Sequence, residues 1–327
     1  MKILVVGGAG YIGSHMSKIL HNDGYEVVVL DDLSTGFLES VRYGEFIHGN
    51  LKDLDLLEDV FLKYKFDGVM HFAASSLVGE SIINPSKYFR NNVCNSLNLF
   101  DTMVKYRVSN LVFSSSAAIF GNPEYLPIDE KHPKKPINPY GSSKLMIETI
   151  LKDYAKAYKL KSVSLRYFNA AGADLDQELG EKHDPETHLI PLILKAATGE
   201  RESICVYGND YNTHDGTCIR DYIHVNDICN AHTLALDFLI SQNEPCAEEF
   251  NLGNGQGFSI EEVISCVQDC VKKDKFEIAK VYGDRRIGDP DILVSNSKKA
   301  ENILGWKKVC SDLNTIVNSA WNFERKK

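Results

Sequence analysis

The sequence predicts an α/β fold: a doubly wound parallel sheet followed by a smaller C-terminal α/β substrate domain. Three observations carry this. The first half alternates short apolar, β-branched runs with amphipathic stretches, the pattern of strand–helix–strand crossovers. A glycine-rich turn separates the first apolar run from the first amphipathic stretch. The second run ends on an acidic pair, Asp31-Asp32.

The elements follow in order. Strands are expected at Ile3–Val6, Glu26–Leu30, Glu45–His48, Gly68–Ala73, Asn110–Ser115 and Ser162–Tyr167, with long helices over Lys87–Tyr106 and Tyr140–Tyr158. The first strand runs directly into Gly7, Gly8, Gly10 and Gly13, and a helical stretch, Ser14–Asn22, follows. Glycines 8, 10 and 13 fit Gly-x-Gly-x-x-Gly, and 7, 10 and 13 fit Gly-x-x-Gly-x-x-Gly. Such a turn lets a pyrophosphate approach the backbone, and the free amides of the helix N-terminus attract the anion. Asp31 stands eighteen positions after Gly13, where a carboxylate accepts from ribose hydroxyls. A 2′-phosphate would be repelled there, so the sheet is expected to be of Rossmann type and to bind NAD rather than NADP. A glycine-rich hairpin without a ligand is the plain alternative. The NAD-binding domain is expected over residues 1–168 and the substrate domain over 169–327, with Asp221–Val225 a strand placed to return to the first.

Composition narrows the classes. A 43% hydrophobic, 25% charged chain is ordinary for a soluble globular protein. A net charge of −9 with no basic run argues against nucleic-acid partners. The first apolar run is too short for a signal peptide, and no apolar stretch approaches a membrane span. The eight cysteines form no Cys-x-x-Cys and have no histidine at ligand spacing. Reduced thiols in the cytoplasm are therefore expected, and no metal ligands are assigned.

Tyr140 and Lys144 lie four apart at the head of the second long helix, on one face. A tyrosine titrates near 10, and bringing it to about 7 takes roughly 4 kcal/mol. An adjacent ammonium, with a cationic cofactor, supplies charge of the right sign. The spacing alone is weak in a chain with 15 tyrosines, and the glycine turn upstream gives it weight.

With these residues in view, the chain resembles the extended short-chain dehydrogenase/reductases, and within them the members that epimerise UDP-sugars at C4. The likeness spans nearly the whole chain. It rests on Gly7–His15, Asp31–Gly36, His71–Ala74, Val78–Ser81, Asn91–Val93, Ser114–Ala117, Asn138–Gly141 with Lys144, and Arg166–Asn169. In the second half it rests on Tyr207–Tyr211, Asp215–Thr217, Arg220–Val225 and Arg285–Asp289. The resemblance implies an NAD site lined by Gly7, Gly10, Tyr11, Ile12, Gly13, Asp31, Asp32, Leu33, Ser34, Thr35, Gly36, Asn50, Leu51, Phe72, Ala73, Ala74, Ser75, Ser76 and Asn91. It places Tyr140 and Lys144 by the nicotinamide ribose and Phe168 by the nicotinamide. It assigns the UDP-sugar to Asn169, Leu189, Cys205, Tyr207, Arg220, Arg286 and Asp289, with Leu293 beside the sugar C2 group.

The implied reaction interconverts UDP-galactose and UDP-glucose through a 4-keto sugar. Tyr140 is the base, Lys144 lowers its pKa, and Ser116 positions the sugar O4 or the phenol. A homodimer through the two long helices is implied as well. Three positions depart from common family residues: Asn50 stands for Asp, Ser76 for Lys, and His188 for Asn, so His188 is left unassigned. Leu293 stands where a bulky tyrosine disfavours N-acetyl sugars, so UDP-N-acetylhexosamines are expected to be tolerated to some degree.

Plainer readings stand beside these. The plainer alternatives are a surface ion pair for Arg220-Asp221, a solvated turn for Arg285-Arg286 and a strand end for Ser114–Ser116. Asn91-Asn92 reads as a helix cap or interruption, and His71 and His224 as core polar groups. The rival activities are a nucleotide-sugar dehydratase, a decarboxylase or net dehydrogenase, and a non-catalytic NAD-binding scaffold. Ala117-Ala118 after Ser116 cannot transfer the protons a dehydratase needs, and a scaffold has no use for Ser116, Tyr140 and Lys144 together.

Overall fold

The computed structural model describes every residue except Lys275, Ile287, Gly288 and Lys327. Its strands are β1 (Lys2–Val6), β2 (Glu26–Asp31), β3 (Glu45–His48), β4 (Gly68–His71), β5 (Asn110–Ser116), β6 (Lys161–Tyr167) and β7 (Asn169–Ala171). There follow β8 (Ile204–Tyr207), β9 (Ile219–His224), β10 (Ala247–Leu252), β11 (Gly257–Ser259), β12 (Lys280–Gly283) and β13 (Ile292–Leu293). The helices are α1 (Tyr11–Asn22), α2 (Leu54–Tyr64), α3 (Val78–Ile83), α4 (Pro85–Tyr88), α5 (Asn95–Lys105) and α6 (Pro139–Tyr158). The rest are α7 (Leu189–Ala197), α8 (Val225–Ser241), α9 (Ile260–Val271), α10 (Lys298–Leu304) and α11 (Leu313–Glu324).

The apolar runs set the sheet. Alternate residues of β1 point to opposite faces, and both faces are covered. Ile3 and Val5 join Met70, Val112 and Val163 against α1 and α8. Leu4 and Val6 join Val69, Leu111 and Phe113 in a core shared with α2, α5 and α6. Seven strands pair in the order β10-β6-β5-β4-β1-β2-β3, every pair parallel. Strand order reverses between β1 and β4, so a crevice opens at their carboxyl ends. A second core, including Ile193, Val206, Tyr222, Val267 and Trp321, holds α7, α9 and α11 on β8 and β9.

Three expectations are revised. The strand expected over Gly68–Ala73 stops at His71, because the amides of Phe72 and Ala73 both donate to the Val6 carbonyl (2.8 and 3.1 Å) and turn the chain out of the sheet. The helix expected over Lys87–Tyr106 is α4 and α5 separated by a π-helical turn, Phe89–Cys94, which carries Asn91 and Asn92. π turns of this kind often mark functional positions. The segment around Asp221–Val225 forms β9, which pairs with β7, β11 and β13 rather than with the large sheet. The chain returns instead through α8, packed on β5 and β6, and through β10 beside β6. Among the described residues no helix is long and apolar enough to cross a membrane.

Candidate active site

Gly7 leaves β1 with φ +82°, and a Cβ there would lie 2.5 Å from the Ala73 amide nitrogen. A Cβ on Gly13 would lie 2.2 Å from the Gly7 carbonyl oxygen. Only glycine allows this loop to fold against the first turn of α1. Gly10 begins α1 without a capping side chain, and the first turn holds no acidic residue. Its amides are left to an outside acceptor, which is the fit a pyrophosphate requires. Tyr11 offers the loop its backbone only, because its buried phenol donates to the Gly172 carbonyl (2.6 Å). Ile12 likewise packs into the core.

Asp31 accepts from the Ala9 amide (2.9 Å) and the Leu33 amide (2.8 Å), tying the glycine loop to the end of β2. Burial pushes its carboxyl above the usual range, and the Leu33 and Ala9 amides pull the other way. A carboxylate has about four acceptor positions, so about two remain for ribose hydroxyls. Asp32 accepts from the Ser34 amide (2.9 Å) and from the Asn50 side chain, which explains the amide at position 50: an acid there would repel Asp32. Asn95 donates in turn to Asn50 (3.4 Å) and Asn91 (3.3 Å). Ser34, Thr35 and Ser76 are exposed, Gly36 packs under Ala9, and Leu51 is buried.

The π turn clamps the segment after β4. Asn92 accepts from the Ser75 amide (2.8 Å), donates to the Ser75 carbonyl (3.0 Å), and donates to Ser143 Oγ on α6 (3.0 Å). Asn91 donates to Ser75 Oγ (3.2 Å). These asparagines therefore interrupt a helix and also position Phe72–Ser76. His71 and His224 are buried core groups, His71 bonded to Ser96 and His224 to Ser319.

Asn138 caps α6 by accepting from the Gly141 amide (2.8 Å), with Pro139 at the first helical position. A Cβ on Gly141 would lie 2.4 Å from the Ala118 carbonyl oxygen, so α6 starts hard against the turn that follows β5. That closeness brings Tyr140 to Ser116. The three strand-end serines divide their work. Ser114 pairs with the Tyr167 phenol, Ser115 donates to Glu148 (2.7 Å), and Ser116 accepts from the Ala118 amide (3.1 Å) and is the serine that acts on the Tyr140 phenol.

Burial pushes the Tyr140 phenol up, and the Ser116 hydrogen bond pulls it down. Lys144, 2% exposed, donates to the Ser114 carbonyl (2.7 Å) and lies 5.8 Å from the Tyr140 ring centroid. Burial lowers Lys144 to about 7, against the Glu148 charge that raises it. In the protein by itself burial outweighs the Ser116 influence, so the phenol stands raised; the lowering by Lys144 is expected together with a cationic cofactor.

Glu148 and Arg166 escaped the sequence reading of the site. Glu148 lies one helical turn beyond Lys144, the one available signal. It accepts from Arg166 Nε (2.8 Å) and Nη2 (2.7 Å), and both residues are buried. One carboxylate thereby joins α6, β5 and β6 beneath the serine cluster.

Across the crevice, Phe168 and Leu293 pack on one small cluster with Ala117, Ile119 and Phe120. Asn169 donates to the Asp221 carbonyl (2.9 Å). Arg220 pairs with Asp289 (2.8 Å) rather than with Asp221. Asp221 is buried and accepts from the amides of Asn254 (2.6 Å), Gly255 and Ser295 (each 3.0 Å). Arg286 lies 4.2 Å over the half-exposed Tyr207 ring, beside Cys205 on β8, whereas Arg285 sits in a surface pair with Asp210. Leu189 opens α7 and is half-buried. Ile287 and Gly288 of the Arg285–Asp289 motif lie outside the described residues.

The profile of the NAD dependent epimerase/dehydratase family matches residues 3–253. The UDP-glucose 4-epimerase of Halalkalibacterium halodurans is 46% identical over 325 residues, covering 99% of this chain and 96% of that protein. The crystal structure of UDP-glucose 4-epimerase from Brucella ovis in complex with NAD superposes with a TM-score of 0.94 at 48% identity, covering 98% of each chain. That of the Bifidobacterium longum UDP-glucose 4-epimerase in complex with NAD+ and UDP gives 0.93 at 36% identity, covering 100% of this chain and 98% of that one. With the glycine turn, the Ser116–Tyr140–Lys144 group and these likenesses together, the chain belongs to the NAD-dependent epimerase/dehydratase family.

Proposed function

We propose that the protein interconverts UDP-galactose and UDP-glucose by inverting C4 through a 4-keto sugar. The observation that carries this reading is the meeting of Ser116 and Tyr140 at the carboxyl end of the sheet, where the serine hydroxyl draws the phenol pKa down, with a buried Lys144 one turn along the same helix and only alanines at 117 and 118. Relatives at 46% and 48% identity that are named UDP-glucose 4-epimerases support it. NAD, when bound, supplies the hydride acceptor and donor that an unactivated C–H bond demands. Gly7, Gly13 and the first turn of α1 would hold its pyrophosphate, Asp31 its ribose, and the segment Phe72–Ser76 its nicotinamide half. Tyr140 takes the O4 proton and returns it on the other sugar face, and Ser116 keeps phenol and O4 in register. Arg220, aligned by Asp289, faces the diphosphate, and Tyr207 with Arg286 provides a flat face for the uracil.

Incubating the purified protein with UDP-galactose, without added NAD, is expected to yield UDP-glucose on chromatography. No conversion even with NAD supplied would overturn the proposal. In the same assay UDP-N-acetylglucosamine is expected to turn over measurably, because Leu293 leaves room beside C2 that a tyrosine would fill. An absence of product from it alone removes the role given to Leu293.

The protein acts as a cytoplasmic homodimer in this reading. All eight cysteines are unpaired, and Tyr154 on α6 donates to Asp101 on α5 (2.6 Å), joining the two helices into one face with exposed Met146 and Tyr158. Sedimentation at the mass of one chain would refute the dimer.

A further inference from the structure

The loop between β7 and α7 carries a cluster that the reaction does not use. Glu181, His183, Glu186 and His188 each bring one ligand atom within 4.8 Å of the others. His188 Nδ1 lies 2.9 Å from Glu186 and 3.1 Å from Glu181, and His183 Nδ1 lies 3.4 Å from Glu186 and 3.6 Å from Glu181. Zinc bonds of about 2.0–2.1 Å in a tetrahedron set ligand atoms about 3.4 Å apart. The Glu181 Oε1 spacings to the two imidazoles fall on either side of that value; Glu186 meets His188 through Oε1 and His183 through Oε2, so it would turn one of these oxygens to the ion.

Charge points the same way. The two carboxylate side chains are only 7% and 4% exposed, and two anions brought together out of water need positive charge between them. The two imidazoles stand with ring centroids 4.4 Å apart. A divalent cation balances both carboxylates and leaves the imidazoles neutral. Two nitrogens and two oxygens suit a zinc-class ion, whereas calcium and magnesium prefer larger all-oxygen shells. The outer groups are in place: the amides of Thr187 and His188 donate to Glu186 (2.8 and 2.9 Å), and the Tyr11 ring meets His183 edge-on. The half-exposed edges of His183 and His188 give the ion an entry path.

We propose that Glu181, His183, Glu186 and His188 form a closed, four-coordinate structural site for a divalent transition-metal ion of the zinc class. With four protein ligands it has no open position for chemistry. The ion would fasten the residues before α7 to Tyr11 at the start of α1.

The test is titration of the full-length, chelator-stripped protein with Co2+. One Co2+ per chain is expected, with the strong visible absorption of tetrahedral cobalt, displaced by Zn2+ and indifferent to excess Mg2+. His183→Ala and Glu181→Gln are each expected to weaken binding by more than the roughly 10- to 100-fold that loss of an outer partner costs. Metal should raise the melting temperature of the wild-type chain but not of either variant. Absent or loose binding to wild type, the weak absorption of six-coordinate cobalt, or unchanged affinity in both variants would overturn the site. The wild-type titration decides the matter even where a variant fails to fold.

Discussion

Replacing Tyr140 by phenylalanine is expected to lower turnover of UDP-galactose by about 100- to 10,000-fold, the range for loss of a general base. The fold and NAD content should stay intact, because the hydroxyl is removed while the ring keeps its place at the start of α6. Circular dichroism and cofactor release on denaturation check those two conditions. Near wild-type turnover would take Tyr140 out of the reaction. Ser116→Ala separates the base from its support. The Ser116 hydrogen bond pulls the phenol pKa down, so its loss raises that pKa, and the acid limb of the kcat/KM profile should move to higher pH. An unmoved limb would mean that Ser116 acts on the sugar alone.

The largest effect on stability is expected at Glu148. Truncation to alanine leaves the fully buried Arg166 with only Glu249 at 3.5 Å for its charge, its Nη1 already having no partner among the described residues, and frees Ser115 as well. Breaking a buried pair from one side costs about 3–5 kcal/mol. In a chain of this size that lowers the melting temperature on the order of 10 °C. Glu148→Leu combined with Arg166→Met should recover most of the loss, since an apolar pair carries no uncompensated charge. If the double variant is no better than Glu148→Ala, the charge pair is not the cause. Glu148→Gln gives a pH readout. The Glu148 carboxylate is the charge that raises Lys144. Without it the ammonium is lost at lower pH, and the alkaline limb of kcat/KM should move down.

The β-branched runs identified all six strands of the first half, to within two residues at each end, because strands buried on both faces leave an unambiguous apolar signature. The helix over 87–106 read as continuous because a π turn keeps the helical apolar pattern while changing only which carbonyl each amide reaches. β10 was missed for the opposite reason: Ala247-Glu248-Glu249 is polar and sits at the sheet edge, so half its length lacks the buried pattern. Site residues that act by side-chain type at fixed spacing, such as Tyr140 and Lys144, were legible. Glu148–Arg166 and the cluster at 181–188 depend on which partners the fold delivers, and spacing does not record that. The desolvation that dominates both Tyr140 and Lys144 was not legible either, because sequence distance reports proximity but not burial.

The edge strand β10 has a mechanical consequence. The backbone passes between the large sheet and the small lobe at residues 168, 225, 253–256, 294–297 and 305–312, so the lobes are laced together rather than hung on one hinge. Hinge closure needs a few residues that absorb the whole rotation, and this lacing spreads any such rotation over every crossing. Any closing of the crevice would therefore have to be shared among all of these crossings rather than taken up at one of them.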